Sequence, residues 1–258
     1  MTKAELEQPR RELPDLREMT QARVLLGRFG AGLPTRVVQS FQLDHARARQ
    51  AVWSEVDRAA LRQELSDLKV HIADVESMAG NREVFVRRPD LGRRVPPEVM
   101  QRLDALPQRF DAVIVLADGL SASAVTVNGA SLTRAVARRL EAAKISVGAV
   151  ILAAQARVAL ADPVGERLKA RVSIMLIGER PGLSAADSLG AYVTYRPETG
   201  TPDSRRNCVS NIRQGGLAIA DAADAIVALV ITMLKTGVSG VGLHAAAAKL
   251  PAGESPHS

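Results

Sequence analysis

The string Gly119-Leu120-Ser121-Ala122-Ser123 places a hydroxyl just behind an apolar run, and Asp224 and His244 follow it in the order that α/β-hydrolases use. Such a set would make Ser121 a nucleophile, His244 its base and Asp224 the acid that orients the base. The closing glycine of a G-x-S-x-G turn is absent, and a serine capping a helix N-terminus accounts for the same string. Cys208 is the single cysteine, so no internal disulfide can form. With no base near it in sequence, it reads as a small hydrophobe. The four histidines, at 45, 71, 244 and 257, show no zinc-ligand spacing with it. Glu179, at the end of another apolar run, is either an acid paired with Arg180 or an acceptor for amide donors of a ligand. His45, beside Asp44 on an apolar helical face, reads as a core or interface histidine. No G-x-x-x-x-G-K-[ST] occurs, and the Gly27 to Gly32 cluster does not follow a strand, which disfavours nucleotide triphosphatases and ordinary dehydrogenases.

The elements that must position these residues fall into two textures. The first 108 residues read as helical and charge-rich. After Pro34 and the N-cap Thr35, the residues Val37, Val38, Phe41, His45, Ala48 and Val52 recur at three- and four-residue steps, so they share one helical face that needs a partner. Further helices are expected over about Asp57 to Leu68 and from Pro97 onward, with Arg87 to Arg94 as a loop between them. From residue 109 to 250, short apolar runs alternate with amphipathic stretches. Strands are expected over Ala112–Ala117, Ser146–Ala153, Val172–Gly178 and Ala191–Tyr195, with helices over Ser131–Lys144, Val164–Ala170 and Ala218–Lys235. Strands apolar on every residue are buried on both faces, so the fold class is α/β, a parallel sheet with helices on both faces. In such a sheet ligands sit beyond the strand carboxyl ends. That selects Asp118 to Ser121, Arg157-Val158 and Gly178 to Leu183, which ordinary strand-to-helix turns would also explain. Residues 251–258 read as a disordered tail.

Composition narrows the function classes. The chain has 258 residues, 47% apolar and 24% charged, within the range of ordinary globular proteins. No apolar run approaches the roughly 20 residues that span a bilayer, and Met1 to Pro14 lacks the apolar core of a secretory signal. A cytoplasmic protein is expected. The net charge of +6 could suit a polyanion, but four Phe, two Tyr and one Trp are too few for base stacking and the arginines come in scattered pairs. Nucleic acid is therefore not the expected partner.

Several strings together resemble the small (light) subunit of ethanolamine ammonia-lyase. They are Leu33-Pro34-Thr35 before Phe41 to Arg49, Arg88-Pro89-Asp90-Leu91-Gly92-Arg93-Arg94, Asp118-Gly119-Leu120-Ser121, Gly178-Glu179-Arg180-Pro181-Gly182-Leu183 and Asn207-Cys208-Val209-Ser210-Asn211-Ile212-Arg213. They occur in collinear order over about residues 13 to 243. The resemblance implies a helical N-terminal part and a Rossmann-like domain that covers adenosylcobalamin against a large TIM-barrel subunit, in a hetero-oligomer with several copies of each. It implies a lyase that turns ethanolamine into acetaldehyde and ammonia, inactive without the large subunit, with the hard chemistry carried by the cofactor. Cobalamin contacts carry over to Val158, Glu179 and Cys208; Asp118 is added from its position alone. No histidine sits in a D-x-H-x-x-G motif, consistent with the base-on mode expected for the family. Some relatives carry a longer N-terminal extension that addresses them to a bacterial microcompartment, whereas the residues before the match here show no amphipathic helical period. The other functional readings are a serine hydrolase using Ser121 and a non-catalytic small-molecule-binding scaffold.

Overall fold

The first helix, α1 (Thr35–Trp53), begins where Pro34 and Thr35 predict it. In this computed structural model, which describes residues 22–24, 26–28 and 30–250, α1 runs across the division at Ala46/Arg47 between two units. The expected tail and the charged N-terminal stretch lie outside the described residues. Along α1 only Ala51 is buried, and Val38, Phe41, Leu43 and Trp53 are exposed. His45 is therefore not a core residue. It stacks on Phe41 with ring centroids 6.2 Å apart, and Arg23, which pairs with Asp44, lies over the same Phe41 ring at 5.6 Å.

In the second unit, Asp57 caps α2 (Arg58–Glu64) by accepting the Ala60 N–H at 2.9 Å. Strand β1 (His71–Glu76) follows, and then α3 (Arg82–Arg87), capped in the same way by Asn81. Pro97 opens α4 (Pro97–Arg102). Strand β2 (Ala112–Ala117) is buried at every residue. Beyond it, Ser121 caps a short turn that runs through a π-helical segment, Val125–Gly129, into α5 (Ala130–Ala142). Then come β3 (Val147–Ala154), α6 (Ala161–Arg167), β4 (Val172–Gly178), β5 (Leu189–Tyr195), β6 (Arg206–Ile212), α7 (Ile219–Thr236) and α8 (Leu243–Ala247).

The six strands form one sheet in the order β1-β3-β2-β4-β5-β6. Strands β1 to β4 run parallel, with Val115 level with Ile151 on one side and Met175 on the other. One face packs on α5 and α7 through Ile114, Leu116, Val150, Leu152, Ile174 and Leu176. The other packs on α4 and α6 through Val113, Val115, Ile151, Met175 and Ile177. Fully apolar strands thus separate two cores, as their composition requires.

Two expectations need correction. The sheet is not wholly parallel, because β5 and β6 are antiparallel to their neighbours. Residues 179–188 join β4 to β5 without a helix, and such a link is too short for a crossover, so the chain doubles back. The stretch before residue 109, expected to be mostly helical and to lie apart from the sheet, also contributes β1, which pairs with β3 at the sheet edge. The backbone is tightest where the ends of β2 and β4 meet. Gly119 (φ +53°) donates no side chain there, and a Cβ would lie 2.2 Å from Gly178 O. Leu120 N–H bonds that same carbonyl at 2.9 Å.

Candidate functional site

A groove of about 360 Å³ opens on the sheet face beside the turn after β3. Its walls are Arg93, Arg157, Val158 and Ala159 from that side and Tyr192, Asp203, Arg206 and Cys208 from the β5–β6 pair. Two of the expected contacts, Val158 and Cys208, therefore share one cavity. Cys208 stands opposite Tyr192 in the register of β5 and β6, which turns both toward the same space. Partial burial raises the thiol pKa, an opposing hydrogen bond from Tyr192 lowers it, and the charge of Glu179 raises it further, with a net rise. The Tyr192 phenol is pushed up to about 12, first by burial and then by Cys208. At neutral pH both groups are protonated, so the groove wall is neutral here and Cys208 is no thiolate nucleophile.

Glu179 stands just past β4, near enough for its charge to reach both Tyr192 and Cys208. It does not pair with Arg180. Its Oε2 accepts from Ser188 Oγ at 2.5 Å and from the Asn211 N–H at 3.2 Å. Oε1 takes no hydrogen bond from a described residue, and it occupies space that a Cβ on Gly190 would contest at 2.9 Å. The loop bearing Ser188 is pinned from the capped turn after β2 and from the π-helical segment that follows: Ser121 Oγ donates to Ala186 O at 2.6 Å and Asn128 Nδ2 to Asp187 O at 2.9 Å. A π-bulge at such a point re-aims side chains without ending the helix.

Asp118 is differently placed. It is buried, and its two oxygens accept the Gln155 and Ala156 N–H groups at 2.8 and 3.1 Å. Buried Arg82 donates to it at 3.3 Å and to Gly119 O at 2.8 Å. Burial raises the Asp118 pKa, against the Arg82 charge and the N–H donors. Asp118 does not line the groove. Instead it ties down the residues just ahead of Arg157 and Val158, where Gln155 adopts φ 53°. The hydrolase set does not form. Ser121 is fully buried, its Oγ spent on Ala186 O and on the Ala124 N–H at 3.0 Å, while Asp224 pairs with Arg139 at 2.5 Å.

Sequence reasoning missed Tyr192, Arg206 and the role of Arg93. Arg93 lies in a string noted for its resemblance, but nothing in local pattern brings it to the turn after β3. Arg206 Nη1 and Nη2 donate to Asp162 at 2.6 and 2.7 Å, a bidentate pair with both side chains almost fully buried. That pair ties the start of β6 to α6 and fixes one wall of the groove.

The family model for the ethanolamine ammonia-lyase light chain (EutC) matches residues 10–244. The chain belongs to this family. Among proteins named ethanolamine ammonia-lyase small subunit, it is 47% identical to that of Rhodopseudomonas palustris over 90% of this chain and 89% of the relative. It is 45% identical to that of Bradyrhizobium diazoefficiens over 91% of each chain, and 45% identical to that of Ralstonia nicotianae over 90% of this chain and 87% of the relative. The light-chain match spans every element from α1 to α7 and all the groove residues. No single helix among the described residues of this light chain is long and apolar enough to cross a membrane.

Proposed function

We infer that this chain is the small subunit of an ethanolamine ammonia-lyase, the enzyme that converts ethanolamine to acetaldehyde and ammonia. The observation that carries the reading is the unbroken family match over residues 10–244. In this reading the sheet is Rossmann-like, supported by the parallel β3-β2-β4 core with helices on both faces, and the contacts Val158, Glu179 and Cys208 fall within residues 109–250. The partner is a large TIM-barrel subunit, several copies of each forming the assembly. The cytoplasm is the expected location, with enclosure in a bacterial microcompartment as the alternative.

The groove suits a corrin. Its orphaned donor, the buried Arg157 Nε, and the open acceptor Glu179 Oε1, which stands outside the groove lining past the end of β4, suit a ligand rim made of amides. Adenosylcobalamin, bound base-on, supplies the radical chemistry when present. This chain's own residues bind and orient. Val158 and Cys208 offer apolar contact, Glu179 accepts an amide N–H, and Asp118 holds the turn that presents Val158. Cys208 and Tyr192, both protonated at neutral pH, add no charge to this wall.

The test is to purify the chain alone and with its large subunit, then measure ammonia and acetaldehyde release from ethanolamine with added adenosylcobalamin. Activity only in the complex, and only with the cofactor, is expected. Activity from this chain by itself, or from the complex without cofactor, overturns the reading.

A further inference from the structure

Two arginines in the groove have no counter-charge of their own. Arg206 is already matched, by Asp162 and, at 3.1 Å, by Asp203. Arg93 and Arg157 form no ion pair with a carboxylate among the described residues. The Arg93 side chain is exposed and makes no hydrogen bond there. The Arg157 guanidinium lies over the Phe85 ring at 4.4 Å, Arg82 lies over the same ring at 4.8 Å, and Arg157 Nε is buried without a partner. Burial and then the charges of Arg82 and Arg93 lower the Arg157 pKa, with Asp118 opposing.

The fold holds this unfavourable arrangement firmly. Arg157 N–H donates to Gly92 O at 2.8 Å, and the two preceding N–H groups are bound by Asp118. A Cβ on Gly92 would strike the Phe85 ring at 2.9 Å, so that position keeps the Phe85 platform in place under Arg157. A buried donor left unmade and a positive pair left uncompensated are costs to the chain alone. They are recovered if an anion completes the site. Guanidinium forks match phosphate oxygens, and Arg157, already held over Phe85, loses little entropy in binding them.

We propose that Arg93 and Arg157 form the subsite for a phosphodiester, namely the one that joins corrin to nucleotide in a cobalamin. This rests on the proposed function above. The corrin rim is made of neutral amides, so the phosphodiester is the part of the ligand that requires cationic partners. Val158 lies next to Arg157 in the chain, so one turn contacts corrin and phosphate together.

The experiment uses the complex with the large subunit and equilibrium titration by visible absorbance. Ligands are cyanocobalamin, dicyanocobinamide, which lacks the phosphodiester and nucleotide, and inorganic phosphate. Arg93→Gln and Arg157→Gln are each expected to weaken cyanocobalamin about tenfold, leave dicyanocobinamide unchanged and abolish competition by phosphate. Because Arg157 also covers Phe85, the exposed Arg93 is the variant least able to disturb folding, and Arg157→Lys should recover part of the loss. Unchanged cyanocobalamin affinity in both Gln variants overturns the proposal, even if phosphate still binds the wild type as a free anion. So does an equal loss for dicyanocobinamide, which would mean corrin packing. A wild-type complex that takes up neither corrinoid instead defeats the functional reading itself.

Discussion

At the residue scale, the side chains that could do chemistry divide into those left open and those consumed by the fold. Cys208 is open but protonated, because partial burial and the Glu179 charge outweigh the Tyr192 hydrogen bond. As the single cysteine it can be followed cleanly: iodoacetamide should alkylate the full-length chain slowly at pH 7, with a rate that is still climbing with pH beyond the usual thiol pKa before it levels off. A fast, pH-independent rate near neutrality would contradict this. Ser121 is consumed. Ser121→Ala should cost about 1–2 kcal/mol in denaturant unfolding through the lost cap and the freed Ala186 carbonyl, and no esterase activity should be present to lose. Asp162 is consumed more deeply. Asp162→Ala strands Arg206 in a buried position and should cost about 3–5 kcal/mol, read as a lower denaturant midpoint. The candidate contacts Val158 and Glu179 were reachable from the sequence because each follows an apolar run. The inward turn of Asp118 was not, since whether a strand-end carboxylate faces solvent or a neighbouring loop depends on what packs above it.

At the scale of elements, edge strand β1 is held by charge as well as by pairing. Glu76, its last residue, accepts from Arg58 of α2 at 2.8 Å and from Arg102 of α4 at 3.2 Å. Desolvation pushes the Glu76 carboxyl up, but the Arg58 hydrogen bond and charge, with Arg102 behind them, outweigh it and the net shift is downward. A depressed carboxylate pKa contributes stability that is whole above the unfolded value, near 4.5, and is lost as pH falls through the lower folded value. Arg58→Gln should therefore lower stability by about 0.5–1 kcal/mol at pH 7, with the difference from wild type vanishing as pH drops below that range. Thermal unfolding across pH 3 to 7, run in parallel on both proteins, checks it; a difference that persisted undiminished in acid would refute the linkage. The interior strands were legible because β2, β3 and β4 are apolar on nearly every residue. Both edges escaped notice: β1 mixes His71, Asp74 and Glu76 with its apolar residues, and β6 mixes Arg206, Asn207, Ser210 and Asn211 with Val209 and Ile212. An edge strand exposes one side, so it carries no continuous apolar run to be read.

At the scale of the whole molecule, the groove proposed for the cofactor is lined at neutral pH by no thiolate or phenolate nucleophile among the described residues. In the full complex, Glu179→Gln should turn its one oxygen toward the Asn211 N–H and Ser188 Oγ and leave NH2 at the Oε1 position, so both it and Glu179→Ala should weaken cobalamin binding severalfold; unchanged affinity in both would remove Glu179 from the contacts. By itself the sequence determined the α/β class, the interior strands, the helix starts at Thr35, Asp57 and Pro97, and the family, because each is written in local pattern or in collinear strings. Only the tertiary structure decided that β5 and β6 double back, that Asp118 faces inward, and that Arg93, Arg157, Tyr192 and Cys208 meet around one groove. Those outcomes depend on which distant segments pair and at what register, and pairing energy between remote residues leaves no period in the chain.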